Sequence, residues 1–469
     1  MQQDGARDFD VDAFLDGLKI GRHHILVIGL LILTMLIDGY DLFVVGLILP
    51  AISRDWGIAP AAFTGVFVAQ QFGILLGVVF FGPFADRYGR RTTLLICLLC
   101  FAVCTYFITW TTTPAQITAV RFVSAIFFSG VIPNCVALAS EIAPKRLRAT
   151  MISIVFCGYT GGSFIGASAL AFIVEPYGWE SAFYLGTILP LAMIPILFFF
   201  LPESIRFRAT RNPNDPRIGR ALQGLDPSLR LTGQERFLVE EPKRQKGKRG
   251  PIGALFQGGL LPLTLMVWLA YFMAFLVNQM LNNWGTTILN HVAGIPMTHV
   301  ALLISVRTFT GIIGTATVGF IMDRVGAGRA LPIFYMASAI LTGTLAFIDL
   351  GSTTALVVFG LLGYATNSGL AGLNAQAAIT YPPRMRVTGI AWGSGVGRIG
   401  GMLGPIVGGA LIAGAPDATI IYLCATAPEL FAGAALYMLG WYGARRRNDP
   451  GDPPEPAVVL DGAMVSPAR

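Results

Sequence analysis

The sequence is short of charge. Only 13% of its 469 residues are Asp, Glu, Lys or Arg, against roughly 25% in a soluble domain, which excludes a water-soluble enzyme or binding module as the whole chain. Histidine is scarcer still: His23, His24, His291 and His299 stand at the ends of apolar runs or between them, without metal-ligand spacing and with no nucleophile beside them. No metal, no cofactor and no enzyme activity are therefore expected. No Gly-Lys-Ser/Thr phosphate-binding loop occurs, so an ATP-driven pump has no motor here. The six cysteines, Cys97, Cys100, Cys104, Cys135, Cys157 and Cys424, all fall within apolar runs, which argues against a disulfide framework. The helical spacing of the first three suits small packing residues better than a soft-metal site. The first apolar run starts after Arg22 and has no small-residue cleavage site behind it; it is expected to remain in the protein.

What the chain has in abundance is apolar length. Hydrophobic residues make up 54% of it. Stretches of about 20 residues, each enough to cross ~30 Å of hydrocarbon, recur near 25–48, 62–82, 93–111, 116–139, 149–173, 180–201, 258–283, 298–322, 330–350, 353–378, 387–413 and 418–442. They predict an all-α membrane protein with twelve transmembrane helices. All but four of the 33 Lys and Arg residues fall in segments that this topology puts on one side; the exceptions are Arg54, Arg121, Arg307 and Arg398. The net charge of +7 then reads as a positive-inside bias and not as a nucleic-acid footprint. It predicts a multi-pass protein of the cell inner membrane with both termini cytoplasmic.

The long hydrophilic interval 202–252 divides the spans six and six. Residues 1–22 read as a short cytoplasmic segment, 23–201 as a six-helix bundle, 202–252 as a cytoplasmic linker, 253–442 as a second six-helix bundle and 443–469 as a cytoplasmic tail. The linker cluster Lys243-Arg244-Gln245-Lys246-Gly247-Lys248-Arg249 can meet anionic lipid headgroups. An internal repeat supports the division: Gly82-Pro-Phe-Ala-Asp86-Arg87-Tyr-Gly89-Arg90-Arg91 follows span 2, and Gly319-Phe-Ile-Met-Asp323-Arg324-Val-Gly326 follows span 8. Two parallel repeats about an axis normal to the membrane would put a site at the midplane between them. In the motif, Gly89 permits a tight turn, Gly82 would let helices approach closely, and Asp86 can pair with arginines of the loop or sit near a helix N-terminus.

Charges within the spans are the functional signal, because each costs about 3 kcal/mol or more near the bilayer centre. Asp38 and Asp41 share one face of span 1, and Arg121 enters span 4 to a similar depth, so they can pair. Two repelling carboxylates beside an arginine can take up and release protons as their surroundings change, which makes the three candidates for proton coupling; a static ion pair tying spans 1 and 4 is the bland alternative. Arg398 in span 11 and Arg307 in span 8 lie near mid-depth, and the guanidinium fork matches a carboxylate. Glu429 in span 12 is a rival partner for either; if it neutralises Arg307, Arg398 is the free cation for an anionic substrate. Asn278, Asn282, Asn374 and Tyr40 could line the same cavity, although any one of them is more often an interhelical bond or a packing group.

The repeated Gly82–Arg91 motif resembles the cytoplasmic loop motif of the major facilitator superfamily, and the resemblance covers all twelve spans. It implies two pseudo-symmetric six-helix bundles and a cytoplasmic gate built from Gly82, Asp86, Arg87, Gly89, Arg90, Glu141, Arg148, Asp323 and Arg324. Within that superfamily, Asp38-Gly39-Tyr40-Asp41 resembles the D-G-F/Y-D element of the aromatic acid:proton symporters. Ser129-Gly-Val-Ile-Pro-Asn134, Glu141-Ile-Ala-Pro144 with Arg146 and Arg148, and Tyr381-Pro-Pro-Arg384-Met-Arg386 leading to Gly397-Arg398-Ile-Gly400 and Gly404-Pro405 fit the same group. Pro202-Glu203-Ser204 also resembles sugar porters, and the Gly-Pro motif that drug antiporters carry in span 5 is missing there. The resemblance implies proton-coupled import of a hydroxybenzoate-like anion by alternating access. A sugar, a sugar acid or an exported drug is the alternative cargo, and a flux-free receptor a more distant one. Expected partners are the anion, protons and membrane lipid, with no nucleic acid, and the working unit is a monomer.

Overall fold

The computed structural model describes residues 8–18, 20–144, 147–225, 229, 231, 235–239, 252–257, 259–381, 385–414 and 417–447. The Lys243–Arg249 cluster, Arg146, Arg384 and the tail beyond Arg447 lie outside them. A short helix, α1 (Val11–Gly17), precedes the first half, which comprises α2 (Arg22–Trp56), α3 (Thr64–Tyr88), α4 (Arg90–Ile108), α5 (Pro114–Phe128), α6 (Val131–Ile142), α7 (Arg148–Tyr177) and α8 (Glu180–Phe200). After α9 (Ile205–Arg211) and α10 (Pro216–Leu225) comes the second half: α11 (Leu261–Thr287), α12 (Met297–Val325), α13 (Ala327–Thr344), α14 (Thr353–Thr380), α15 (Arg386–Gly414) and α16 (Ala418–Arg447).

Among the described residues, eleven helical segments are long and apolar enough to cross a membrane, with α5 and α6 taken together. The expected ninth span, α13, is not among them. Its 18 residues include Gly328, Arg329 and Pro332, which dilute the apolar run. Span 4 is broken because Pro133 has no N–H to give the Ser129 carbonyl; Asn134 Nδ2 instead reaches the Gly130 carbonyl at 2.7 Å. Gly89 and Gly326, the last glycines of the two motif copies, have φ of 97° and 88°. The repeat thus preserves a left-handed turn that a side chain would strain.

Packing repeats as the sequence does. In the first half α2 lies on α7, α3 on α5 and α4 on α8; their counterparts pair as α11 on α15, α12 on α14 and α13 on α16. Across the halves α2 meets α11, α3 meets α15 and α7 meets α12. The last two contacts exchange under the repeat, as a pseudo-two-fold axis between the halves requires. The glycine string from Gly400 to Gly409 is a packing face. A Cβ at Gly400 or Gly404 would overlap the carbonyls of Phe272 or Leu276 on α11.

The apolar core is shared at one side of the molecule and divided at the other. Away from the linker, one cluster joins Val44, Ile48 and Phe67 of the first half to Leu276, Met280 and Trp284 of the second. There Phe67 and Trp284 meet edge to face with centroids 5.2 Å apart, Arg54 Nη2 donates to Asn290 Oδ1 at 2.9 Å, and the hydroxyls of Ser168 and Ser305 are 3.0 Å apart. On the linker side the clusters are separate: one around Leu31, Met35, Leu94 and Leu138, the other around Tyr271, Leu331, Tyr335 and Leu436. The N-terminal segment and the linker also meet. β1 (Asp8–Asp10) pairs in parallel with β2 (Arg236–Leu238), over a small cluster of Val11, Leu15, Ile205, Ile218, Leu222 and Phe237.

Candidate functional site

The first charged group lies at the middle of α2. Arg121 of α5 is 1% exposed. Its Nη1 donates to both oxygens of Asp41, at 2.9 and 2.8 Å, and its Nη2 to the Asp41 backbone carbonyl at 3.1 Å. The residues read as a coupling cluster are thus adjacent, but only one carboxylate is paired. Asp38, one turn earlier and 2% exposed, has no hydrogen-bond partner at either oxygen. It lies within electrostatic reach of Asp41, of Cys97 and Cys135, and of Tyr159 on α7. Gly39 makes this packing possible, because any Cβ there would run into the Tyr159 carbonyl. Tyr40 turns away from this group. It is buried, its hydroxyl donates to the Ala182 carbonyl of α8 at 2.7 Å, and its ring fills the space left by Gly166 and Gly186.

Arg398 on α15 is exposed, and Tyr159 is within its electrostatic reach across the two halves. Tyr159 thus lies within electrostatic reach of both Asp38 and Arg398, a link that spacing along the chain does not reveal. Among the described residues no carboxylate forms an ion pair with Arg398. Gly397 beside it packs against Tyr271 and Phe275 of α11, and Asn374 accepts from the Tyr271 hydroxyl at 2.8 Å. Asn282 Nδ2 donates to Asn278 Oδ1 at 2.9 Å, so these two asparagines answer each other. Arg307 is half-buried, with its Nε unpaired. It lies within electrostatic reach of Glu429 and Tyr422, while Glu429 accepts from Ser338 Oγ at 2.7 Å.

Two of the expected gate residues, Arg90 and Glu141, belong to a network on the linker side of the first half. Arg90 pairs with Glu141, and Glu141 accepts from the Ser204 hydroxyl. Glu203, absent from the expected gate, is its hub: it accepts from the Arg91 backbone N–H at 2.9 Å, from the Thr92 hydroxyl at 3.3 Å and from the Ser204 N–H at 3.0 Å. The Pro-Glu-Ser triplet was the available signal. Asp86 lies within electrostatic reach of Arg90, Arg211 donates to the Arg87 carbonyl at 3.0 Å, and the Arg148 Nε is buried without a partner. Gly82 is a correction: a Cβ there would meet nothing within 4 Å, so close helix approach is not its role. In the second copy Asp323 is exposed and the Arg324 guanidinium stacks over Phe320 at 4.1 Å; it does not join the network of the first half.

Known proteins match this chain almost end to end. The family model described as Major Facilitator Superfamily matches residues 31–405 and 267–463. A gallate transporter of Pseudomonas putida is 33% identical over 441 residues, 94% of this chain and 97% of the relative. The 4-hydroxybenzoate transporter PcaK of Acinetobacter baylyi is 30% identical over 431 residues, covering 92% and 94%. A benzoate transport protein of the same organism is 29% identical, covering 87% of each chain. Among solved structures, the nucleoside transporter NupG aligns with TM-score 0.67 at 13% identity, over 89% of this chain and 99% of that one; at that identity the likeness concerns the fold alone.

Proposed function

The chain belongs to the major facilitator superfamily, and from that premise we propose that it imports an aromatic carboxylate of the hydroxybenzoate or gallate class together with protons. The relatives' names support the substrate class. The observation that carries the reading is a pair of charge sites that both lie within electrostatic reach of Tyr159: a buried carboxylate without a hydrogen-bond partner, Asp38, in one half, and in the other Arg398, which among the described residues forms no ion pair. The guanidinium offers an anion two parallel hydrogen bonds, while a proton is the counter-charge that Asp38 has room for. Asp41 and Arg121 hold the α2 backbone at that site.

The cycle follows from the divided core. The halves are joined away from the linker and separate on the linker side, so substrate at Arg398 communicates with the linker side in this conformation. The positive-inside bias makes that side cytoplasmic, with both termini there and the protein a monomer in the inner membrane. Rocking about the α2–α11 contact would open the opposite face. The Glu203–Arg91 and Glu141–Arg90 network braces the first half through that motion as one rigid body.

The test is uptake of radiolabelled 4-hydroxybenzoate, gallate and benzoate into proteoliposomes under an inward proton gradient, for wild type, Asp38→Asn and Asp41→Asn. The expected result is gradient-stimulated uptake of at least one acid, with the stimulation lost in Asp38→Asn while substrate exchange persists. Failure of all three acids to move, with hexoses moving instead, would overturn the substrate class. Uptake indifferent to the gradient would overturn symport.

A further inference from the structure

The second half contains a buried carboxylate that the cycle above leaves unused. Glu429 on α16 is 2% exposed. Its Oε1 accepts from Ser338 on α13, with the Thr342 hydroxyl beside it one turn on, yet Oε2 has no partner. A small cavity opens on this carboxylate, lined also by Tyr335 of α13, Asn278 of α11 and Thr366 of α14. The buried Tyr335 hydroxyl is likewise unpartnered, and Tyr271 is within its electrostatic reach. Burying an isolated carboxylate is costly, so a carboxylate with one unpartnered oxygen on a cavity that Asn278, Tyr335 and Thr366 also line calls for a ligand.

Arg307 is a charged group within electrostatic reach of Glu429, and Tyr422 lies within reach of Arg307 as well. Among the described residues it forms no ion pair with Glu429, and its Nε is unpaired, so the two are not locked as a structural bridge. Arg307 sits on α12 between two residues that touch the other half: Ser305, which meets Ser168, and Phe309, whose ring lies 5.9 Å from Phe164. A change of charge at Glu429 therefore acts on the helix that forms the contact between the halves.

We propose that Glu429 is a second proton-binding carboxylate, one in the second half to match Asp38 in the first, with Arg307 reading its charge. A hydronium proton relayed to the cavity forms the O–H bond at Oε2 and leaves neutral water; when Arg307 approaches, that O–H bond breaks and the proton returns to water as hydronium. This rests on the proton-coupled import proposed above. One proton with a monoanion moves no net charge, whereas two protons move one positive charge inward, and only the second case responds to membrane potential.

Two measurements test it. Proteoliposome uptake of 4-hydroxybenzoate is compared with a pH gradient alone and with an added inside-negative potassium–valinomycin potential. Wild type should be stimulated several-fold by the potential, and Glu429→Gln should keep its response to the pH gradient and lose that to the potential. A Glu429→Gln protein that still responds to the potential overturns the proposal. Infrared difference spectra against pH should contain a protonated-carboxyl band in wild type that is missing in Glu429→Gln, and absence of that difference overturns it whatever the protein carries. If Glu429→Gln does not fold, Ser338→Ala keeps the carboxylate and should move the pH at which the band disappears; an unmoved band is the negative result. A wild type that moves no aromatic acid fails the proposed function, and the infrared result then decides Glu429 by itself.

Discussion

Arg121 grips Asp41 at three points, two carboxylate oxygens and the backbone carbonyl, while Asp38 one turn away is held by nothing. The two aspartates look equivalent in sequence, and the structure gives them different surroundings. Asp41 ties α2 to α5, and in the proposed cycle Asp38 is the carboxylate that changes charge.

That difference separates the two Asn variants. Removing one partner of a buried ion pair typically costs about 3–5 kcal/mol, so Asp41→Asn should unfold at a clearly lower temperature in detergent. Asp38→Asn breaks no hydrogen bond and should stay within about 1 kcal/mol of wild type, yet lose gradient-stimulated uptake. Thermal melts of both variants beside the uptake assay check this.

Arg398 carries the substrate charge in the proposed cycle. A hydrogen bond to a charged group is worth about 1.5–3 kcal/mol, or about 10- to 100-fold in affinity. Arg398→Ala should raise the half-saturating concentration of the transported acid by that factor, and Arg398→Lys should recover only part of it because the fork is lost. Concentration-dependent uptake at a fixed gradient reads both.

Closure of the face away from the linker can be trapped. The Ser168 and Ser305 hydroxyls are 3.0 Å apart on α7 and α12. A Ser168→Cys, Ser305→Cys double variant, in a background lacking the six native cysteines, should cross-link under oxidant, stop uptake and recover on reduction. Full transport in the cross-linked protein would mean that these helices need not part.

Gly89 has φ of 97°, and a Cβ there would press on the Glu203 carboxylate at the centre of the linker-side network. Gly89→Ala should therefore strain the turn and displace Glu203 together. The expected outcome is a maximal uptake rate reduced severalfold with the half-saturating concentration little changed. Substrate affinity measured in detergent separates this from a damaged binding site.

Much of the fold is legible in the chain. The apolar runs locate the spans, since a segment of about 20 apolar residues has few alternatives to crossing a bilayer. The repeated loop motif marks the two halves, because Gly89 and Gly326 are required by the same left-handed turn. Asp38, Asp41, Arg121, Arg307, Arg398 and Glu429 stand out for the cost of putting charge in hydrocarbon. The break at Pro133 is equally readable, as a missing N–H within an apolar run.

The sequence by itself determined eleven of the twelve expected spans among the described residues, where the chain repeats and which charges demand an explanation, because these depend on composition and local geometry. Only the tertiary structure decided who pairs with whom: Asp41 and not Asp38 with Arg121, Glu203 at the centre of the linker-side network, Tyr40 bolted to α8, Tyr159 within reach of both Asp38 and Arg398. The same is true of the core that is whole on one side of the molecule and split on the other. Pairing depends on how helices rotate and approach, which glycine contacts such as Gly39 against Tyr159 settle at distances that no periodicity along one helix encodes.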